Sequence, residues 1–234
     1  MAAESERLRT ALLNSISHEL RTPLTVILGA IETLEDANIL LSEEDRTDLL
    51  RTIRQNAKRM HRLVSNLIGM ARIESGMLAL NRRWVDLADV IFQSIRDTAE
   101  LTEGHPVRVE LEEDLPLLEA DEALLAEAIA NLLTNAAKYS PPGSPIDIRA
   151  RAAEGGVSIC VIDRGMGIAP EEGEQLFEKF YRSPRAAHVP GTGLGLAIVK
   201  AVAEAHGGFV CASPHKPKGA EFQLWLPIRG ERKP

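Results

Sequence analysis

His18 and Thr22 are spaced by one helical turn and Glu19 adjoins the histidine, which groups an imidazole, a hydroxyl and a carboxylate. That set suits nucleophilic and acid–base chemistry near neutral pH. Pro23 follows, and because it has no amide hydrogen it cannot bond the carbonyl of Glu19, so the helix is expected to loosen or bend there. A second set, Asn131, Asn135, Lys138 and Tyr139, brings two carboxamides, an ammonium and a ring to one side of a helix. Mg²⁺ takes few protein oxygens and completes its shell with phosphate and water, so Asn131 and Asn135 beside a lysine suit a metal-bound triphosphate. Asp163 closes an apolar run, and Gly165 and Gly167 after it let the backbone turn closely around a ligand. Gly191-Thr192-Gly193-Leu194-Gly195-Leu196 runs into a helix, where free amide hydrogens and the helix dipole hold phosphate oxygens. This run lacks the Gly-Lys-Ser/Thr ending of a P-loop, and Leu196 stands where a dinucleotide fingerprint has its third glycine.

These groups need elements to hold them. Leu8, Leu12, Ile16, Leu20, Leu24, Ile27, Ile31 and Leu34 follow three- and four-residue steps and predict a long amphipathic helix. His18 lies about 200° around that helix from Ile16, which predicts that it faces outward. Leu50, Ile53, Ala57, Met60, Val64, Leu67 and Ala71 form a second stripe of the kind that packs in helical bundles. Ser42 is placed to cap this second helix, with Glu43, Glu44 and Asp45 at the positive end of its dipole. The break between them, residues 36–41, is short enough for an antiparallel hairpin. Leu49, Leu63 and Ile68 widen the second stripe beyond what one partner helix covers, which predicts a dimer completing a four-helix bundle.

After Gly76 short alternating runs mix with helices, the texture of an α+β domain. Strands are predicted at Val107–Leu111, Ile146–Ile148, Val157–Ile162 and Phe222–Leu226, with a hairpin turn at Gly155-Gly156. Helices are predicted at Leu87–Ala99 and Glu122–Lys138, capped by Asp86 and Asp121, and at Leu196–His206, stopping at Gly207-Gly208.

Ser17-His18-Glu19-Leu20-Arg21-Thr22-Pro23-Leu24 closely resembles the phosphoacceptor motif of two-component sensor histidine kinases. Asn131 to Tyr139 resembles that family's asparagine box, Asp163 to Ile168 its first glycine box, Phe177 to Arg182 its phenylalanine box, and Gly191 to Leu196 its second glycine box. The signatures stand in the family's order over most of the chain, and the whole pattern is most like the potassium-responsive KdpD type. The resemblance implies that residues 1–76 form a dimerisation and histidine phosphotransfer domain and 77–234 an α/β-sandwich ATP-binding domain of the Bergerat type. It implies that His18 attacks the γ-phosphorus of ATP, that Glu19 accepts or orients the proton, and that Thr22 positions a water for the reverse, phosphatase reaction. It also implies that Asp163 receives the adenine amino group and that Gly165, Gly167, Ile168, Thr192, Gly193, Leu194, Gly195 and Leu196 line the nucleotide. Lys179 and Arg182 are available to the polyphosphate, and residues 183–190 form a short lid with Arg185 as an extra phosphate contact. The implied cofactors are ATP and Mg²⁺. The implied partners are a second copy of the chain and a response-regulator receiver domain whose aspartate takes the phosphoryl group.

The bulk properties agree. With 27 Lys and Arg against 34 Asp and Glu, the net charge of −7 disfavours nucleic acid and anionic lipid. No apolar stretch approaches the roughly 20 residues that span a bilayer, so this segment is expected to make no membrane contact and to be cytoplasmic, whether alone or as the soluble part of a longer membrane-attached sensor. Cys160 and Cys211 lie in alternating apolar runs and are expected to be reduced and packed in the core, as are Trp84 and Trp225. Two other readings stay open: another ATPase of the same nucleotide fold, which leaves the His18 stretch unexplained, and a non-enzymatic dimeric scaffold with an inactive ATP site, which intact Asn135, Asp163 and Gly193 argue against.

Overall fold

The computed structural model describes the backbone of residues 2–36, 40–74, 80–169, 171–187, 189 and 191–228, with their side chains apart from those of 2–16, 18, 70 and 72–74. The chain divides into two compact units, Met1–Ala71 and Arg72–Pro234. The boundary expected at Gly76 lies outside the described residues.

The first unit consists of α1 (Ala2–Glu35) and α2 (Glu43–Glu74) as far as Ala71. Helix α1 runs on through Pro23, which is buried, as is Ala30 two turns later. Ser42 caps α2 as expected: its hydroxyl accepts the Asp45 amide at 3.0 Å, and the Asp45 carboxylate accepts the Ser42 amide at 3.1 Å. The apolar face of α2 differs from the expected single stripe. Leu49, Ile53, Met60, Leu63 and Leu67 are half-buried, whereas Leu50, Ala57, Val64 and Ile68 are exposed, and no described side chain of α2 is fully buried. One line of the face is therefore partly covered within the chain and a second, at seven-residue spacing through Leu50, Ala57 and Val64, is open. Neither α1 nor α2 is long and apolar enough to cross a membrane, nor is any other described helix.

The second unit opens with β1 (Arg83–Val85) and α3 (Leu87–Thr98). Then come β2 (Val107–Leu111), β3 (Leu118–Ala120), α4 (Glu122–Tyr139), β4 (Ile146–Ala153) and β5 (Gly156–Ile162). It closes with α5 (Gly195–Ala205), β6 (Phe209–Pro214) and β7 (Ala220–Pro227). Strands β1 and β3 form a small antiparallel pair. The main sheet has the order β2-β4-β5-β7-β6, with β2 and β4 parallel and the other neighbours antiparallel. Alternation puts Phe222, Leu224 and Leu226 of β7 into the core with Ile146 and Ile148 of β4. The helices contribute Ile91, Leu125, Ile129, Leu132 and Ile198, each worth about 1.5–3 kcal/mol when fully buried. The Ser94 hydroxyl stitches α3 to α4 through the Val90 carbonyl at 2.8 Å and the Ala126 carbonyl at 3.2 Å.

Asp86 and Asp121 are the expected caps, accepting from the amides of Ala88 and Leu124. Three expectations need correction. Helix α5 begins at Gly195, because Leu194 rather than Gly195 is the capping residue. Trp84 is exposed in the middle of β1, and Trp225 lies half-buried on the outer face of the sheet, stacked on Phe209 at 5.3 Å. Cys160 is buried and reduced, but Cys211 sits on the outward-facing side of β6 and is exposed.

Candidate active site

Helix α4 carries the asparagine set. Leu132, Leu133 and Ala136 fix it against the sheet, which leaves Asn131, Asn135, Lys138 and Tyr139 half-buried along its other side. The carboxamide nitrogen of Asn131 is buried without a hydrogen-bond partner, an expensive state for a donor. Lys138 lies 5.1 Å from the centroid of the Tyr139 ring.

Asp163 stands where β5 ends. It is buried, and its Oδ1 accepts the Gly165 amide at 2.7 Å and the Ala220 amide at 3.1 Å. Burial pushes its pKa above the usual carboxylate value, with the two amides and the nearby Arg164 and His215 opposing that shift. The turn after it is pinned by an ion pair from Arg164 to Asp147 on β4, and by the Arg164 amide on the Ser140 hydroxyl at 3.3 Å.

The glycines show why side chains are missing where they are. A Cβ on Gly165 would lie 2.5 Å from the Tyr139 carbonyl oxygen, so the Asp163 turn presses directly against the end of α4. Gly193, at φ +71, would place a Cβ 2.6 Å from the backbone of Phe180, whose amide donates to the Gly193 carbonyl at 2.9 Å. A Cβ on Gly195 would meet Asn131 Oδ1 at 3.4 Å, and one on Gly191 would meet Lys138 Nζ at 2.3 Å. Close approach is the reason these glycines share, joined at Gly193 by the positive φ, and it knits the asparagine, glycine and phenylalanine segments into one locus at the N-terminus of α5. There the Thr192 hydroxyl accepts the Leu194 amide at 3.3 Å, and Leu194 is buried while Leu196 stays half-buried. Gly167 has φ +74 and lies against Gly219, where a Cβ would come within 3.2 Å of the Gly219 carbonyl oxygen, and Ile168 after it is half-buried.

Phe177 is buried edge-on to Phe222 at 6.4 Å and anchors the segment that leads to the short turn at Pro184–Ala186. Lys179 and Arg182 are exposed. The Arg182 guanidinium donates to the carbonyls of Val189 at 2.6 Å and Ala187 at 3.2 Å, and that of Arg185 to Met166 at 3.0 Å, so both arginines hold backbone. Sequence reasoning passed over Glu172, Ser140, Asp147 and the Gly219-Ala220 pair, whose contributions depend on contacts distant in the chain; only Gly219 before an apolar run offered a local signal.

Of the phosphoacceptor set, the side chain of His18 lies outside the described residues, Glu19 is half-buried and Thr22 exposed on α1.

Residues 8–76 match the family described as His Kinase A (phospho-acceptor) domain, and residues 120–230 the family described as Histidine kinase-, DNA gyrase B-, and HSP90-like ATPase. The likeness to KdpD extends along the whole chain: it is 37% identical over 227 residues to Sensor protein KdpD of Escherichia coli (strain K12), covering 97% of this chain and 25% of that protein. The chain thus spans about a quarter of the length of the KdpD proteins it matches. The solved mycobacterial sensor histidine kinase MprB superposes with a TM-score of 0.58 at 33% identity, covering 64% of this chain and 99% of that one. Full-length ShkA in complex with AMPPNP gives 0.67 at 28% identity, covering 97% and 47%. A helical unit with a phosphoacceptor-type histidine stretch, followed by a sandwich of the gyrase B and HSP90 ATPase type, defines the class. The chain belongs to the sensor histidine kinase family.

Proposed function

We propose that this chain is a catalytic core that moves the γ-phosphoryl group of ATP to His18, passes it to an aspartate of a response-regulator receiver domain, and also promotes loss of the phosphoryl group from that partner. The observation that carries the reading is the convergence of four segments on one locus, with the buried, unpartnered amide of Asn131 inside it. A nucleotide supplies what those groups lack. Asp163 Oδ2, which neither the Gly165 nor the Ala220 amide uses, accepts the adenine amino hydrogen. Gly165, Gly167 and Ile168 shape the wall around the base. Thr192, Gly193, Leu194, Gly195 and Leu196 offer amides and the α5 dipole to the phosphates, with Lys138 beside them and Tyr139 packed under its ammonium. Lys179 supplies further positive charge, and Arg182 reaches the polyphosphate by exchanging the carbonyls it now holds.

The donor set fits Mg²⁺: Asn131 and Asn135 would hold it through carboxamide oxygens, and it would neutralise charge on the phosphate oxygens. The protein's own work is positioning. The His18 imidazole forms the new N–P bond as the β–γ bridging P–O bond breaks, ADP leaves with that electron pair, and Glu19 holds the imidazole proton. Thr22 orients water toward the phosphorus of the receiver's acyl phosphate, so that the P–O bond to the aspartate breaks, its carboxylate is restored and inorganic phosphate leaves.

Dimerisation follows from the open line of α2, which a second copy covers. The roles on α1 separate experimentally. Thr22→Ala should keep phosphohistidine and slow the loss of label from a phosphorylated receiver domain by at least about tenfold. Loss of phosphohistidine with unchanged dephosphorylation would overturn the assignment.

A further inference from the structure

Glu172 is a buried carboxylate that no part of this mechanism uses. Its Oε2 accepts the Ala169 amide at 3.2 Å, at the exit of the Asp163 turn, and its Oε1 accepts the Tyr181 hydroxyl at 3.3 Å. The nearby Ser183 hydroxyl is the main reason its pKa falls below the usual carboxylate value, with burial acting the other way. Two donors from distant places in the chain therefore meet on one side chain, the end of the base-binding turn and the end of the phenylalanine segment, with the first residue of the lid close beside it.

We propose that Glu172 is a positioning residue for the lid, fixing its root so that it closes over the phosphate half of the nucleotide; this rests on the nucleotide reading above. Tyr181 follows Phe180, whose amide is tied to Gly193 in the phosphate loop and whose φ of +66 leaves little freedom for the chain to re-aim. Ser183 then accepts the Arg185 amide at 3.3 Å, which starts the lid's short 3-10 turn Pro184–Ala186 and aims Arg185 at the Met166 carbonyl. Glu172 thus sets the direction in which Arg182 and Arg185 leave the core. Asp163, at the base end, is held independently by Gly165 and Ala220.

Sign separates this role from its rivals. A bare negative charge beside a polyphosphate repels it, so if charge were all, neutralising Glu172 would tighten ATP. A general structural prop would, when lost, weaken every nucleotide alike. A lid root that is fixed by acceptor geometry predicts a third pattern, because a carboxamide of the same size turns one acceptor oxygen into a donor facing an amide or hydroxyl.

The test is calorimetric binding of Mg-ATP, and of AMP by competition, to the full chain and to Glu172→Gln, Tyr181→Phe and Ser183→Ala. Glu172→Gln is expected to weaken ATP about tenfold and to leave AMP unchanged, with a thermal midpoint somewhat below the parent's because a buried donor now faces a donor. Tyr181→Phe, a milder change, should shift the ATP-to-AMP ratio in the same direction, and adding Glu172→Gln to it should cost less than in the parent. Tighter ATP, equal losses for both nucleotides, or unchanged ratios in Tyr181→Phe and Ser183→Ala would each overturn the inference. A parent chain that bound neither nucleotide would instead overturn the nucleotide reading, and this inference with it.

Discussion

The Asp163 carboxylate is caught between burial, which favours its neutral form, and the two amides that converge on Oδ1, which favour the charged one; burial prevails and its pKa is raised. For a carboxyl whose folded pKa is raised, the stability it contributes is present below the unfolded value and lost as pH rises through the folded one. At neutral pH the ionised group therefore costs stability. Asp163→Asn keeps an oxygen for both amides, so the variant without nucleotide should melt no lower than the parent. Its new amide donor would face the donor on adenine, so ATP affinity should fall on the order of 100-fold. Thermal melts and calorimetry of the same two proteins check both halves, and a destabilised variant that still binds ATP would contradict them. In the parent, ATP affinity should also decline on acidification at a pH above the range where ordinary carboxylates titrate.

At the scale of elements, the start of α4 and the end of α5 are secured by one buried cluster. The Asp121 carboxylate caps α4 through Leu124 and also accepts the Asn81 amide at 2.9 Å. The Asp121 amide donates at 2.9 Å to His206, the capping residue at the end of α5. Arg82 donates to the Ala205 carbonyl at 3.1 Å, a cation at the negative end of that helix. Asp121→Ala should cost about 1–2 kcal/mol, and more than Asp86→Ala, whose cap bond is exposed. Denaturant unfolding of the two variants tests this; equal losses would mean that the Asn81 bond adds nothing. The caps themselves were legible because Asp before a periodic apolar run is a local signal, and so were the glycine segments, whose turn chemistry is written in adjacent residues. The three-residue strands β1 and β3 were not, since three residues cannot display alternation, and β6 showed only as apolar alternation around Cys211. Glu172 and Asp147 were unreadable for a different reason: their partners are fixed by tertiary contacts, and the residues flanking them carry no trace of that.

At the scale of the whole molecule, periodicity located the two long helices but did not divide the face of α2 into its covered and open lines. The seven-residue spacing of Leu50, Ala57 and Val64 is the pattern a partner helix seats against, and Ile68 remains 49% exposed beside it. The chain should therefore be a dimer by light scattering at micromolar concentration. Val64→Asp together with Ile68→Asp should yield monomers that still bind ATP, because the nucleotide groups all belong to the second unit. A parent chain that is monomeric throughout would remove the basis for the bundle.

The central claim is that one histidine of the helical unit receives phosphate from the nucleotide held by the other. Purified chain incubated with γ-labelled ATP and Mg²⁺ should acquire label that acid removes and alkali spares, and His18→Ala should acquire none while binding ATP as the parent does. Label that persists in His18→Ala, or a parent that binds ATP and never becomes labelled, would contradict the account.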